Sequence, residues 1–180
     1  MSAARSTLLA IAISAAAAGC GPGEDDRPPG VLEIGVRDED GSFRPLSDHD
    51  SMTVSLGPNG LNMVVPCLRS AQIAPKAPDP TVTVTVADFV MAADIEGARA
   101  DMVDDGIGNV LWDLRVPFQT ELCCFTCREG LVEARIKDAT GRRFEGSVTV
   151  LLERGGCPDE DACCLEADMC PDPSLTQVCE

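Results

Sequence analysis

The reactive chemistry in this chain is mostly that of thiols, with ten cysteines among 180 residues. Cys124 and Cys127 form a C-x-x-C. That spacing serves a redox centre where a helix N-terminus lowers the thiol pKa, and it offers two ligands to a tetrahedral zinc ion. Here the pair lies between strand-like runs with no helical period around it, so the redox use lacks its setting. Adjacent cysteines occur twice, as Cys123-Cys124 and Cys163-Cys164. Neighbours seldom bond each other, because the small ring strains the peptide between them. Each therefore needs a distant partner. In an oxidising compartment the expected chemistry of Cys67, Cys123, Cys124, Cys127, Cys157, Cys163, Cys164, Cys170 and Cys179 is disulfide formation rather than zinc binding. The spacing leaves their connectivity open.

Cys20 stands apart. Before it come one charge, Arg5, then the apolar run "TLLAIAISAAAA" and Gly19. A charged start, a short apolar core and small residues at the end are the layout of a secretory signal, residues 1–19. The run falls short of the roughly 20 residues that span a bilayer. "Ala17-Ala18-Gly19-Cys20" resembles the lipobox of bacterial lipoproteins, departing only in having Ala17 where leucine is commonest. That resemblance implies lipid attachment at Cys20 and a membrane partner through the anchor. Cleavage after Ala16-Ala17-Ala18 is the alternative, and it would leave a soluble periplasmic or secreted protein. Gly21 stands where an aspartate can act as a retention signal, so the outer membrane is the expected address. Residues 20–30 carry glycine, proline and charge without an apolar pattern and read as a flexible tether.

Outside the cysteines the chain is poor in catalytic types. His49, its one histidine, lies between Asp48 and Asp50. A His–carboxylate pair does acid–base work, but here it falls in a turn between Leu46 and Met52, where solvated residues collect. No G-x-S-x-G, phosphate-binding or dinucleotide fingerprint is present. The acidic stretches "RDEDGSF" (37–43) and "DMVDDGIG" (101–108) miss the EF-hand spacing. They read as solvated loops, with convergence of loop carboxylates on a cation as the alternative. A non-enzymatic protein without a cofactor is expected.

Removing residues 1–19 takes away Arg5 and no acid, which leaves 161 residues and a net charge near −17. That length suits one domain with a real core. The charge repels phosphate backbones, so nucleic acid is excluded as a partner, while a protein partner in the envelope remains open.

The elements that must position these residues are strands. Period-two alternation puts Leu32, Ile34 and Val36 on one face, and Met52, Val54 and Leu56 on another. It also aligns Leu61, Met63, Val65 and Cys67, with Pro66 marking an edge or bulge. Val82, Val84 and Val86 alternate with threonines. Val110, Trp112, Leu114 and Val116 are expected to face the core, with Asp113 and Arg115 outside. Val132, Ala134 and Ile136 follow, then Phe144, Val148, Val150 and Leu152. "FVMAADI" (89–95) is a weaker strand. "GPNG" (57–60), "APKAPDP" (74–80), "DDGIGN" (104–109) and "DATG" (138–141) supply turns and loops. Residues 31–152 thus read as an all-β, antiparallel sandwich of immunoglobulin or fibronectin type; a cupredoxin-like sandwich or jelly roll fits the same pattern. Residues 153–180, with five cysteines, eight acids and one base, read as a disulfide-rich C-terminal tail stapled to it.

Phe43, Pro45, Leu46, Gly57, Pro58 and Gly60, in "FRPLSDHDSMTVSLGPNGLNMVV", resemble a pattern of lipoproteins of myxobacterial type. The match spans about 25 residues, and the acidic-Gly turn of the pattern is replaced by "SDHD". The resemblance implies a β-sandwich lipoprotein and brings no activity or functional residue with it.

Overall fold

A computed structural model describes residues 28–58, 60–76, 78–87, 89–92, 101–118 and 128–154. Within them thirteen strands form two sheets. The strands are β1 (Gly30–Val31), β2 (Glu33–Arg37), β3 (Phe43–Pro45), β4 (Asp50–Leu56), β5 (Asn62–Val64), β6 (Cys67–Ser70), β7 (Asp79–Val86), β8 (Phe89–Ala92), β9 (Val103–Asp104), β10 (Asn109–Leu111), β11 (Val116–Pro117), β12 (Arg128–Lys137) and β13 (Arg143–Arg154). The large sheet runs β11-β5-β4-β13-β12-β7-β8, with β1 also on β13; the small sheet runs β3-β2-β6-β10-β9.

Alternation built the large sheet as expected. Val132 lies opposite Val84 on one side and Val148 on the other, and Ala134 lies between Val82 and Gly146. These side chains share one face and are at most 6% exposed. The hairpin between β12 and β13 closes at "DATG", where Gly141 takes the left-handed φ of 87°. Ile34, Leu68 and Leu111 of the small sheet join the same hydrophobic cluster, so the two sheets enclose one core. β7 starts at Asp79, inside the proline-rich stretch, and Pro80 is buried opposite Ile136. "FVMAADI" forms a strand at 89–92; its remaining residues lie outside the described ones.

The pairing is not purely antiparallel. β13 takes β1 and β4 as parallel partners along one edge, and β12 as an antiparallel partner along the other. Between β1 and β2 the chain leaves the large sheet for the small one. It crosses over Gly146, where an added Cβ would overlap the Leu32 carbonyl oxygen.

A corner decides the rest. Residues 62–70 and 109–117 run antiparallel and pass together from one sheet to the other. Pro66 interrupts the first at the crossing, and Leu114 donates its N–H to the Pro66 carbonyl at 3.0 Å. Val64 pairs with Val116 and Leu68 with Leu111, so three residues (65–67) face four (112–115). The extra residue acts as a bulge, with Asp113 at φ 53°.

The bulge corrects the expected facing of this segment. Leu114 and Val116 lie in the main core as expected, but the inward residue before the bulge is Leu111. Val110 and Trp112 point to the outer side of the small sheet, and Trp112 is only half-buried. On the partner run Val64 and Leu68 join the main core; of the expected face Met63 and Cys67 are buried outside that cluster, while Val65 is only partly buried and Leu61 is exposed. Leu61 is 47% exposed and Leu56 72%, because both flank the exposed "GPNG" tip beyond the reach of the small sheet.

Candidate functional site

The outer face of the small sheet gathers aromatic rings, guanidiniums and carboxylates. Gly35 in the middle of β2 makes room for them: an added Cβ would overlap the Arg44 carbonyl and the edge of the Phe43 ring. The bare position lets Phe43 reach from β3 across β2. The bulge turns Trp112 to the same face. The two rings meet edge to face, with centroids 6.3 Å apart and planes at 69°, the arrangement that ring quadrupoles favour.

Each ring carries a cation. The Arg37 guanidinium lies 4.4 Å from the Trp112 centroid, and that of Arg69 lies 4.3 Å from the Phe43 centroid. Carboxylates hold both cations in place. Asp113 accepts from Nε and Nη2 of Arg37 at 3.0 and 2.7 Å, a forked pair. Arg69 donates to Glu33 at 2.7 Å and to Asp105 at 3.1 Å. The result is one stack in the order Asp113, Arg37, Trp112, Phe43, Arg69, with Glu33 and Asp105 at its far end.

Its two ends differ. The Arg69 side chain is 8% exposed and Arg37's is 44%, so Arg69 is a fixed support and Arg37 the reachable cation. Hydrogen bonding from Arg37 to Asp113 raises the Arg37 pKa. Bonding to Glu33 raises that of Arg69 against its burial. Burial alone would raise the Asp105 pKa, but the N–H groups of Gly108 and Ile107, together with Arg69, hold it below the usual carboxylate range. Beneath the Arg37 end lies Cys67, fully buried, its thiol pKa pushed up by burial. A protonated, enclosed thiol is no nucleophile. The face offers aromatic surface and one reachable cation.

The acidic stretches serve their own turns. In 37–43, Asp40 accepts the Ser42 N–H at 2.9 Å, and Gly41 donates to the Asp38 carbonyl. In 101–108, Asp104 accepts from Gly106, and Asp105 accepts from Ile107 and Gly108. Among the described residues no three His, Cys, Asp or Glu side chains are grouped to hold a metal ion. His49 sits at φ 70° in an exposed turn, with Nδ1 2.8 Å from Glu129 Oε1. Its sequence neighbours do other work: Asp48 accepts the Thr149 N–H, and Asp50 accepts the Ser47 N–H. Hollows of about 280 and 230 Å³ on the outer face of the large sheet are both lined by Arg135 and Glu145.

Of the expected site residues, Cys67 is a free, buried thiol. Cys20, Cys123, Cys124, Cys127, Cys157, Cys163, Cys164, Cys170 and Cys179 lie outside the described residues. Sequence reasoning did not pick out Arg37 and Arg69, and it named Phe43 only within the short resemblance, with no role. The one trace of them was Gly35, since a glycine inside an alternating strand marks a close approach. No protein-family model matches the chain, and no curated protein matches it.

Proposed function

We propose that this protein is an exported envelope lipoprotein, anchored through Cys20, whose immunoglobulin-like β-sandwich works as a non-enzymatic interaction module. The observation that carries the interaction reading is the stack of Arg37, Trp112 and Phe43 on the outer face of the small sheet. Tryptophan and arginine are the side chains most enriched at the energetic centres of protein interfaces, and here a rigid scaffold presents both, already ordered. Ordering before binding lowers the cost of association. The immunoglobulin-like type is supported by two sheets that enclose one core. The anchor is supported by the signal layout and the lipobox-like "AAGC", and the short match to myxobacterial-type lipoproteins points the same way.

Site-specific photocrosslinking in cells tests this function. A crosslinker at Pro45, exposed opposite Gly35 on the face of the stack, is expected to capture one defined envelope protein. A crosslinker at Arg135, on the outer face of the large sheet, is expected to capture none. Trp112→Ala should weaken the Pro45 capture by about tenfold or more, the loss of a central contact. Equal capture from both faces, unaffected by Trp112→Ala, would refute the reading.

A further inference from the structure

Both guanidiniums of the stack are met by carboxylates, so the stack brings no net positive charge to its face. Arg37 is forked with Asp113, and Arg69 lies between Glu33 and Asp105. Arg44, on the edge strand, lies 3.7 Å from Asp38. Glu33 uses one oxygen, Oε2, for Arg69, and its side chain is 46% exposed. Beyond these pairs the acids are in excess. Residues 33–45, 67–70 and 103–115, which make the small sheet and its turns, carry seven acids and four bases. The β12–β13 hairpin of the large sheet, residues 128–154, carries five acids and six bases. The negative excess therefore belongs to the side that holds the stack.

The acids gather at the two ends of the stack. The β2–β3 turn, at the Arg37 end, holds Asp38, Glu39 and Asp40, all exposed. The β9–β10 turn, at the Arg69 end, holds Asp104 and Asp105. Between the ends lie the partly buried rings of Trp112 and Phe43 and the exposed Pro45. The face is thus an apolar middle with a negative border on either side.

We infer that the partner of this face is a basic protein segment, with lysine or arginine on both sides of an apolar residue. The apolar residue lies on Trp112, Phe43 and Pro45, and the cations meet the carboxylates at the two ends. This rests on the interaction reading above and names the chemistry of the partner. Charge complementarity selects it, because opposite potentials steer the encounter and fix its register, while like charges at a contact are penalised. With a formal net charge of −16, a second copy of this chain would bring the same excess of acid. An anionic lipid surface would bring the same sign. A cationic segment is drawn by the carboxylates and by the faces of the rings alike.

The test is mass spectrometry of the peptide crosslinked, in cells, to a benzoylphenylalanine placed at Pro45. The expected peptide carries lysine or arginine on both sides of an apolar residue. In isolated envelopes its yield should fall at least about fivefold as salt rises from about 0.05 to 0.5 M, since attraction between surface charges is screened. Glu39→Lys is expected to lower the yield at least about threefold, and Arg44→Gln, which leaves Asp38 without that cation, is expected to raise it. Damage to the fold would lower the yield in both variants, so the opposite signs separate charge from damage. A captured peptide that is neutral or acidic, a peptide from a second copy of this chain, or a yield indifferent to salt and to Glu39→Lys overturns this inference alone. No capture at Pro45 overturns the interaction reading, and this inference with it.

Discussion

Trp112 carries the Arg37 guanidinium on its ring, meets Phe43 edge to face, and is only partly buried. Truncating a core tryptophan costs about 3–5 kcal/mol. Trp112→Ala should cost less, about 1–2 kcal/mol, from partial burial and the lost cation–π contact. Urea unfolding measures this, and a loss above that range would return Trp112 to the core. Its fluorescence should be partly quenched by acrylamide, and more so in Arg37→Ala. Asp138 is the stronger single support. It is 6% exposed and accepts from Thr140 N–H and Oγ1, Arg142 N–H and Ala74 N–H, at 2.9, 2.6, 3.1 and 3.2 Å. Burial alone would raise its pKa, but these donors outweigh it and hold the carboxyl below its ordinary value. Its contribution is therefore fully present above the ordinary carboxylate pKa and is lost as pH falls through the lower folded one. Asp138→Ala should cost about 2–4 kcal/mol at neutral pH by stranding several N–H groups. The gap to wild type should narrow below about pH 4. A gap unchanged down to pH 2 would contradict that linkage.

At the level of elements, β13 is the organising strand, with β12 on one edge and β1 and β4 sharing the other. Its middle must be flat because Leu32 crosses over Gly146. Adding one methyl there pushes backbone against backbone, which no rotamer change relieves. Gly146→Ala is expected to destabilise by about 2–3 kcal/mol, at the upper end of typical overpacking costs. If its urea midpoint equals wild type, the crossing is wrongly placed. Gly35 plays the same part on the small sheet, where a side chain would push Phe43 off the stack.

At the scale of the whole molecule, the proposed anchor and disulfides each have a direct test. Cys20→Ser should lose palmitate labelling and leave the membrane fraction. A variant that still sediments with membranes and still takes label would end the anchored reading. A disulfide near the open end of the β12–β13 hairpin would close a loop of roughly 30 residues, worth about 3–4 kcal/mol in the chain-entropy model. Reduction should lower stability by that amount and make residues 155–180 susceptible to protease.

Strand identity and inward facing were legible wherever alternation continued without interruption. Val82, Val84 and Val86, the run from Val132 to Ile136, and Phe144 through Leu152 all face the core as their spacing implies. A period of two needs no knowledge of neighbours. The turns at "DATG" and "GPNG" were legible for a similar reason: the required left-handed φ at Gly141 and Gly60 is local chemistry. What tertiary structure alone decided lies where a strand changes sheet. One extra residue at Asp113 reversed the facing of Val110 and Trp112. Nothing in "VLWDLRV" announces it, because a bulge exists only against a partner strand. Pro66 signalled an interruption, but not that the chain passes there to the other sheet. The parallel pairing of β13 with β1 and β4 joins residues about a hundred positions apart, and local sequence carries no record of such a partner. The aromatic–arginine face follows from these decisions. Its residues come from three strands, one bulge and the loop between β9 and β10, and only the closing of the two sheets on one core sets them side by side.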